Sequence, residues 1–197
     1  MKLYLTPGAC SLADHIALTE AGIDIEIIKV DLQTRRTEHG DDFVAINPKA
    51  YVPALMFGDG EVLTENVAIL DWVAGEAPHL APEGRIGRSR NIEMLAFLAT
   101  EVHRPFMRLM FSPADAERQA ARLAIAERLA LIADRLDSDY LFGDAFATAD
   151  ALCYVMVRWA RDSDFELPDR LIAYAERVEA RPAVQATLRA EGLLDNG

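Results

Sequence analysis

Cysteine is scarce in this chain: Cys10 and Cys153 are the two in 197 residues. A disulfide-stapled secreted scaffold is excluded, because such scaffolds need several paired cysteines. Neither cysteine stands at metal-ligand spacing from His15, His39, His79 or His103, so no metal is expected. Long apolar runs are missing too. No stretch approaches the roughly 18 residues that span a bilayer. Residues 1–8 lack the apolar core of a secretory leader, so no membrane partner is expected and the cytoplasm is the expected location. Basic charge is the third shortage. Against 20 Lys and Arg stand 32 Asp and Glu, a net charge of −12, of which residues 1–80 carry −8. A nucleic-acid binder needs a basic stripe, and none is visible. An anionic ligand must therefore be held by local groups and not by the overall field.

What is present is an ordinary globular composition, 51% hydrophobic and 26% charged. Residues 2–5 form an apolar strand that ends at Thr6-Pro7-Gly8, and 11–21 show helical spacing that stops at Gly22. The β-branched run 25–30 follows, which predicts a parallel βαβ unit. Residues 33–49 are polar and irregular, with a short helix near 42–45. A hairpin, 54–57 with 61–63, turns at Gly58-Asp59-Gly60, and a helix spans 65–74. The pattern βαβ-α-ββα predicts a four-stranded sheet with helices, complete by residue 77. After a Pro/Gly-rich linker the second half is helical, at 88–111, 115–136, 149–161, 167–180 and 183–191. Pro105 predicts a kink one turn earlier in the first of these.

Residues 50–66 carry most of the functional signal. Tyr51-Val52-Pro53 precedes a strand, a setting suited to a cis proline bond that leaves a backbone edge open to a ligand. Thr64 is placed to cap a helix whose first turn holds Glu65 and Asn66, an anion site beside that edge. Glu65 suits an ammonium, and Asn66 with free N–H groups suits an α-carboxylate. Each also reads as an ordinary helix start. Arg35 and Lys49 suit a second carboxylate, or are solvated surface charges. Cys10 lies between a strand end and a helix start, where the helix dipole lowers a thiol pKa; packing of a small residue is the plainer reading. Ala13 stands where a C-x-x-C pair needs its second cysteine, so disulfide chemistry at Cys10 needs an external thiol. His103 shares a helix face with Ala96, Ala99 and Met107, beside Arg104 and the Pro105 kink. It suits a general base in a cleft or a packed histidine. Cys153, amid apolar neighbours, reads as an inert core thiol.

Taken together these residues resemble the glutathione S-transferases, specifically the bacterial beta class. The likeness spans essentially the whole chain: Met1-Lys2-Leu3-Tyr4, Pro7-Gly8-Ala9-Cys10-Ser11-Leu12, Ala45-Ile46-Asn47-Pro48-Lys49, Val52-Pro53-Ala54-Leu55, Leu63-Thr64-Glu65-Asn66, Thr100-Glu101-Val102-His103 and Arg158-Trp159. The resemblance implies a thioredoxin-like N-terminal domain (1–77), an all-helical C-terminal domain (86–197) and a homodimer. It implies glutathione as co-substrate, bound by Ala9, Arg35, Tyr51, Val52, Pro53, Glu65, Asn66 and Arg104. Cys10 and His103 are then catalytic, and Met107, Met110 and Phe111 form an apolar electrophile site. The implied activity is conjugation of the glutathione thiolate to small hydrophobic electrophiles in detoxification, with thiol–disulfide exchange at Cys10 as a further activity. A non-catalytic glutathione-binding or regulatory module of the same fold is the alternative. Three positions depart from the class. Ala96 replaces the usual asparagine seven residues before the histidine, implying a lost polar contact near the thiol. Arg35 replaces lysine. Ala147 replaces a capping Ser or Thr, a change expected to cost roughly 1 kcal/mol.

Overall fold

The computed structural model describes residues 1–194. Strand β1 (Lys2–Leu5) is buried from Leu3 to Leu5, which makes it the centre of the sheet. It is followed by helix α1 (Leu12–Glu20) and pairs in parallel with β2 (Glu26–Asp31), Lys2 opposite Glu26, as a βαβ unit requires. On its other side it pairs antiparallel with β4 (Ala54–Met56), which forms a hairpin with β5 (Val62–Thr64).

The sheet has five strands, not four, in the order β3-β2-β1-β4-β5. The additional strand, β3 (Arg36–Thr37), is two residues long and antiparallel to β2. Its cause is a side-chain turn: Asp31 Oδ1 accepts the N–H groups of Gln33 at 2.8 Å and Thr34 at 3.2 Å, reversing the chain. Helix α2 (Phe43–Ile46) follows, capped by Asp42, and α3 (Asn66–Glu76) closes the α/β unit. This is the thioredoxin-like arrangement with its helices.

The rest of the described chain is helical. The predicted helix 88–111 is divided into α4 (Gly87–Phe97), a π-helical stretch Leu98–His103, and α5 (Arg104–Phe111). The reason is Pro105, which has no N–H to return to the carbonyl of Glu101, so the ladder widens just before it. Helices α6 (Asp115–Asp134), α7 (Thr148–Asp162), α8 (Asp169–Glu179) and α9 (Pro182–Glu191) complete it. The α7 run Thr148–Val157 is buried throughout, and Cys153 is fully buried within it. Burial pushes the Cys153 thiol up to about 12, as expected of an inert core thiol.

Ala147 does precede α7 without a capping hydroxyl, but Asn91 of α4 supplies part of what is missing. Its Oδ1 accepts the Ala149 N–H at 3.3 Å, and its Nδ2 donates to Thr148 Oγ1 at 2.8 Å. Asp150 accepts the N–H groups of Ala147 and Leu141 at 2.8 and 3.0 Å. Two helices are thus tied together where a single hydroxyl is absent.

The α/β unit docks on this bundle through α1 and α3. Glu20 of α1 binds Arg181 through both oxygens, at 2.6 and 2.8 Å. His15 and Glu191, each 4% exposed, meet at 2.9 Å, and the other Glu191 oxygen accepts the Gly8 N–H at 2.9 Å. Among the described residues no helix is long and apolar enough to cross a membrane.

Candidate active site

The turn after β1 is fixed before it reaches Cys10. Thr6 Oγ1 donates to the Val30 carbonyl at 2.8 Å, tying the turn to β2. Gly8, at φ 72, takes a conformation that favours glycine, and both of its backbone groups are held by the helical bundle. Its N–H donates to Glu191, and its carbonyl accepts Trp159 Nε1–H at 2.8 Å. Cys10 then stands one residue before the Ser11 N-cap of α1, with Sγ donating to the Val52 carbonyl at 3.6 Å.

The thiol is not pre-ionised here, contrary to expectation. Burial pushes Cys10 up to about 12 and the Asp14 carboxyl adds to the shift, outweighing the N–H groups of Cys10 and Ser11 that favour the thiolate.

Facing this turn, Ala50 (φ 60) and the cis Val52–Pro53 bond lead the chain into β4. Asn47 holds the bend, donating from Nδ2 to the Tyr51 carbonyl at 2.7 Å. At the end of β5 the expected cap moves by one residue. Glu65, not Thr64, stands at the N-cap of α3, with φ 76. The left-handed residue swings the chain out of the strand, and Thr64 Oγ1 accepts from Lys49 Nζ at 2.8 Å instead of capping the helix. Glu65 Oε1 accepts Lys49 Nζ at 2.5 Å and Tyr51 OH at 2.7 Å. Those two donors hold the Glu65 carboxyl below its ordinary range. Glu65 therefore already holds an ammonium, that of Lys49.

Asn66 is employed differently from its expected role. Its Nδ2 donates to the Cys10 carbonyl at 3.0 Å and to Asp14 Oδ2 at 2.6 Å. The amide faces protein, so the donors left for a ligand at this helix start are backbone N–H groups.

Two adjoining cavities lie between the sheet side and the π stretch. The smaller, about 180 Å³, is lined by Pro53, Asn66, Val67 and Ala99 in addition to the residues it shares with the other. The larger, about 630 Å³, adds Met107, Met110, Phe111 and Trp159, with the Thr6–Ala9 turn and Leu32. Cys10, Tyr51, Val52, Glu65 and His103 belong to both. His103 lies in the last turn of the π stretch, with its ring 5.5 Å from that of Trp159 at 35°. Its Nε2 is buried without a partner among the described residues, and burial holds the imidazole below the usual histidine range, so it is neutral at pH 7.

Three residues fall elsewhere. Arg35 (φ 57) is exposed and lines neither cavity; its carbonyl accepts the Phe43 N–H at 3.0 Å. Arg104 turns to a separate groove with Arg108 and Arg128 against α6. Ala96 is exposed and outside both cavities, so the replaced polar group is not a contact of the thiol within one chain.

Trp159, half of the Arg158-Trp159 likeness, is also a wall of the larger cavity. Besides its bond to Gly8, it meets Phe106 edge-on, with centroids 5.6 Å apart at 82°. An indole near the end of an otherwise apolar helix is a signal in itself, since its N–H needs an acceptor outside that helix.

Residues 9–76 match a family model for the N-terminal domain of glutathione S-transferases. The chain is 41% identical to glutathione S-transferase GstA of Escherichia coli O157:H7, over 98% of this chain and 100% of that protein. Among solved structures, a sphingomonad glutathione S-transferase complexed with glutathione superposes with a TM-score of 0.92 at 44% identity, covering 98% of this chain and 100% of that one. The beta-class glutathione S-transferase of Sphingomonas chungbukensis gives a TM-score of 0.92 at 43% identity, with the same coverage.

Proposed function

The chain belongs to the glutathione S-transferase family, and from that premise we propose the site and partners through which it works. It is a transferase of the bacterial beta-class kind that conjugates glutathione. The electrophiles we assign to it are small and apolar, and the location we assign is the division between residues 1–77 and 86–197; positions 195–197 of the second unit lie outside the described residues.

The observation that carries this reading is the sharing of Cys10 and His103 by a cavity of mixed lining, which holds Glu65 and Asn66, and a mainly apolar one. Glutathione takes the first of these. The Val52 backbone pairs with its cysteinyl unit, beside Pro53, Tyr51 and Ala9. Glu65 receives the γ-glutamyl ammonium, as it now receives that of Lys49, and the free N–H groups at the start of α3 receive the neighbouring carboxylate. Arg35 and Arg104 have no supporting contact in the cleft and are not assigned to it. The electrophile lies on Met107, Met110 and Phe111.

Neutral His103 accepts the glutathione S–H proton as the sulfur attacks the electrophilic carbon. The leaving group departs with the bonding pair, and the imidazolium returns its proton to water. His103→Ala is expected to lower kcat for a generic aryl halide by about 10²-fold. Equal, negligible rates in wild type and variant would sink this role.

Cys10 favours a second activity, thiol–disulfide exchange with glutathione, because it reaches both cavities while Cys153 is fully buried. A disulfide substrate is the oxidant: the Cys10 thiolate expels one of its thiols, a glutathione thiolate attacks the Cys10 sulfur and expels the other, and a second glutathione frees Cys10 as glutathione disulfide departs. Intact mass after purification without reductant tests this by the presence of a removable glutathione adduct. Detoxification, a cytoplasmic location and a homodimer complete the reading. An apolar groove of about 400 Å³ on α4 and α6, including Met94, Phe97 and Leu131, supports the homodimer as a surface for a second copy.

A further inference from the structure

The first turn of α1 contains an acid that the conjugation chemistry does not use. Asp14 is 0% exposed, and a carboxyl removed from water must find donors or keep its proton. Its Oδ2 accepts Asn66 Nδ2–H at 2.6 Å, while Oδ1 is buried without a partner among the described residues. The same Asn66 nitrogen donates to the Cys10 carbonyl at 3.0 Å. One amide therefore joins the sulfur-bearing turn to a buried acid across two secondary-structure elements.

We propose that Asp14 and Asn66 are a positioning pair for Cys10: the amide fixes the turn carrying the sulfur, and the carboxyl sets how readily that sulfur loses its proton.

The surrounding charges define the sign. Of the elements packed on α1, α3 presents the neutral amide of Asn66, with Glu65 at its cap, and α9 presents Glu191, held by His15 and the Gly8 N–H. Burial keeps Asp14 well above the usual carboxylate range and Glu191 raises it further; α7 adds no charge to that balance. Asp14 in turn stands next to burial among the causes that raise the Cys10 thiol, with Glu65 a smaller one. Two acids within one turn of helix and one low-dielectric pocket titrate as a pair, each anion opposing the other. Removing the Asp14 charge while preserving its shape should release the thiol.

The proposal rests on the reading that Cys10 belongs to the reacting cleft, and alkylation tests it without requiring that reading. Carbamidomethylation of Cys10 by iodoacetamide is followed by mass across about pH 7 to 12, a range that reaches the raised thiol. Buried Cys153 reports any unfolding. Asp14→Asn should speed Cys10 alkylation at pH 8 about tenfold, one unit of thiol pKa, with the profile displaced to lower pH. A wild-type and D14N profile that coincide overturn the proposal, since a purely structural role leaves the midpoint in place. If D14N loses its cooperative thermal transition, Asp14→Ser serves with the same expectation. A displaced profile with unchanged aryl-halide conjugation upholds the pair and removes Cys10 from conjugation. Coincident profiles together with lost disulfide exchange in Cys10→Ser remove the pair and keep Cys10.

Discussion

The two walls of the cleft are built on opposite principles. On the sheet side nearly every polar group is already engaged: Glu65 with Lys49 and Tyr51, Asn66 with Cys10 and Asp14, Asn47 with the Tyr51 carbonyl. On the helical side His103 Nε2 has no partner among the described residues, Phe111 is 76% exposed and Met110 44%. A wall that recognises one invariant tripeptide gains from preorganised hydrogen bonds, which limit the ordering required on binding. A wall that meets varied electrophiles gains from adaptable methionine and open aromatic surface. Under the proposed site, specificity for glutathione and tolerance toward its partners fall to two different parts of the chain.

The largest effect expected from disturbing this contrast is at Trp159, which joins the walls. Trp159→Ala removes a ring packed on His103 and Phe106 and should lower stability by about 3–5 kcal/mol in urea unfolding. Trp159→Phe keeps most of that packing and loses the bond to the Gly8 carbonyl, for about 1–2 kcal/mol. No loss in Trp159→Phe would show that the indole N–H contributes nothing, and equal losses in the two variants that the retained ring packing contributes nothing. Next comes the preorganised wall. Glu65→Gln should weaken glutathione about tenfold by calorimetry, or about 1.4 kcal/mol, with little change in the electrophile's KM. The smallest effect is on the open wall. Phe111→Ser should leave stability within about 0.5 kcal/mol, while KM for an apolar aryl halide rises several-fold and KM for glutathione holds. If both Michaelis constants moved together, the division of labour would fail.

Legibility in the sequence followed the strength of local signals. The apolar alternation of the strands, the Gly58-Asp59-Gly60 turn and Pro105 each impose a backbone outcome through a few neighbouring residues, and the hairpin and the interrupted helix appear where those signals predict them. Strand β3 escaped because two polar residues paired after an Asp31 turn carry no period. Thr64 suits the cap by its residue type and position, but the chain leaves β5 through a left-handed Glu65, which shifts the helix start by one residue. The cleft residues Cys10, His103 and Glu65 were legible as a set, whereas the roles of their side chains depended on long-range partners. The lowered thiol pKa expected from a helix start yields to burial and to Asp14, and Asn66 turns inward because that same acid attracts its amide. Asp14 announces no such contact through its sequence neighbours.

Between Leu98 and His103 the ladder accommodates a surplus residue in its winding. That widened interval can absorb the loss of one codon by returning to regular winding, whereas the same loss from a regular stretch of helix turns everything beyond it round the axis by about 100°. With one residue gone between Leu98 and His103, Met107, Met110 and Phe111 would keep facing the larger cavity. The interval is therefore a buffer for length that the uninterrupted helices of the bundle lack.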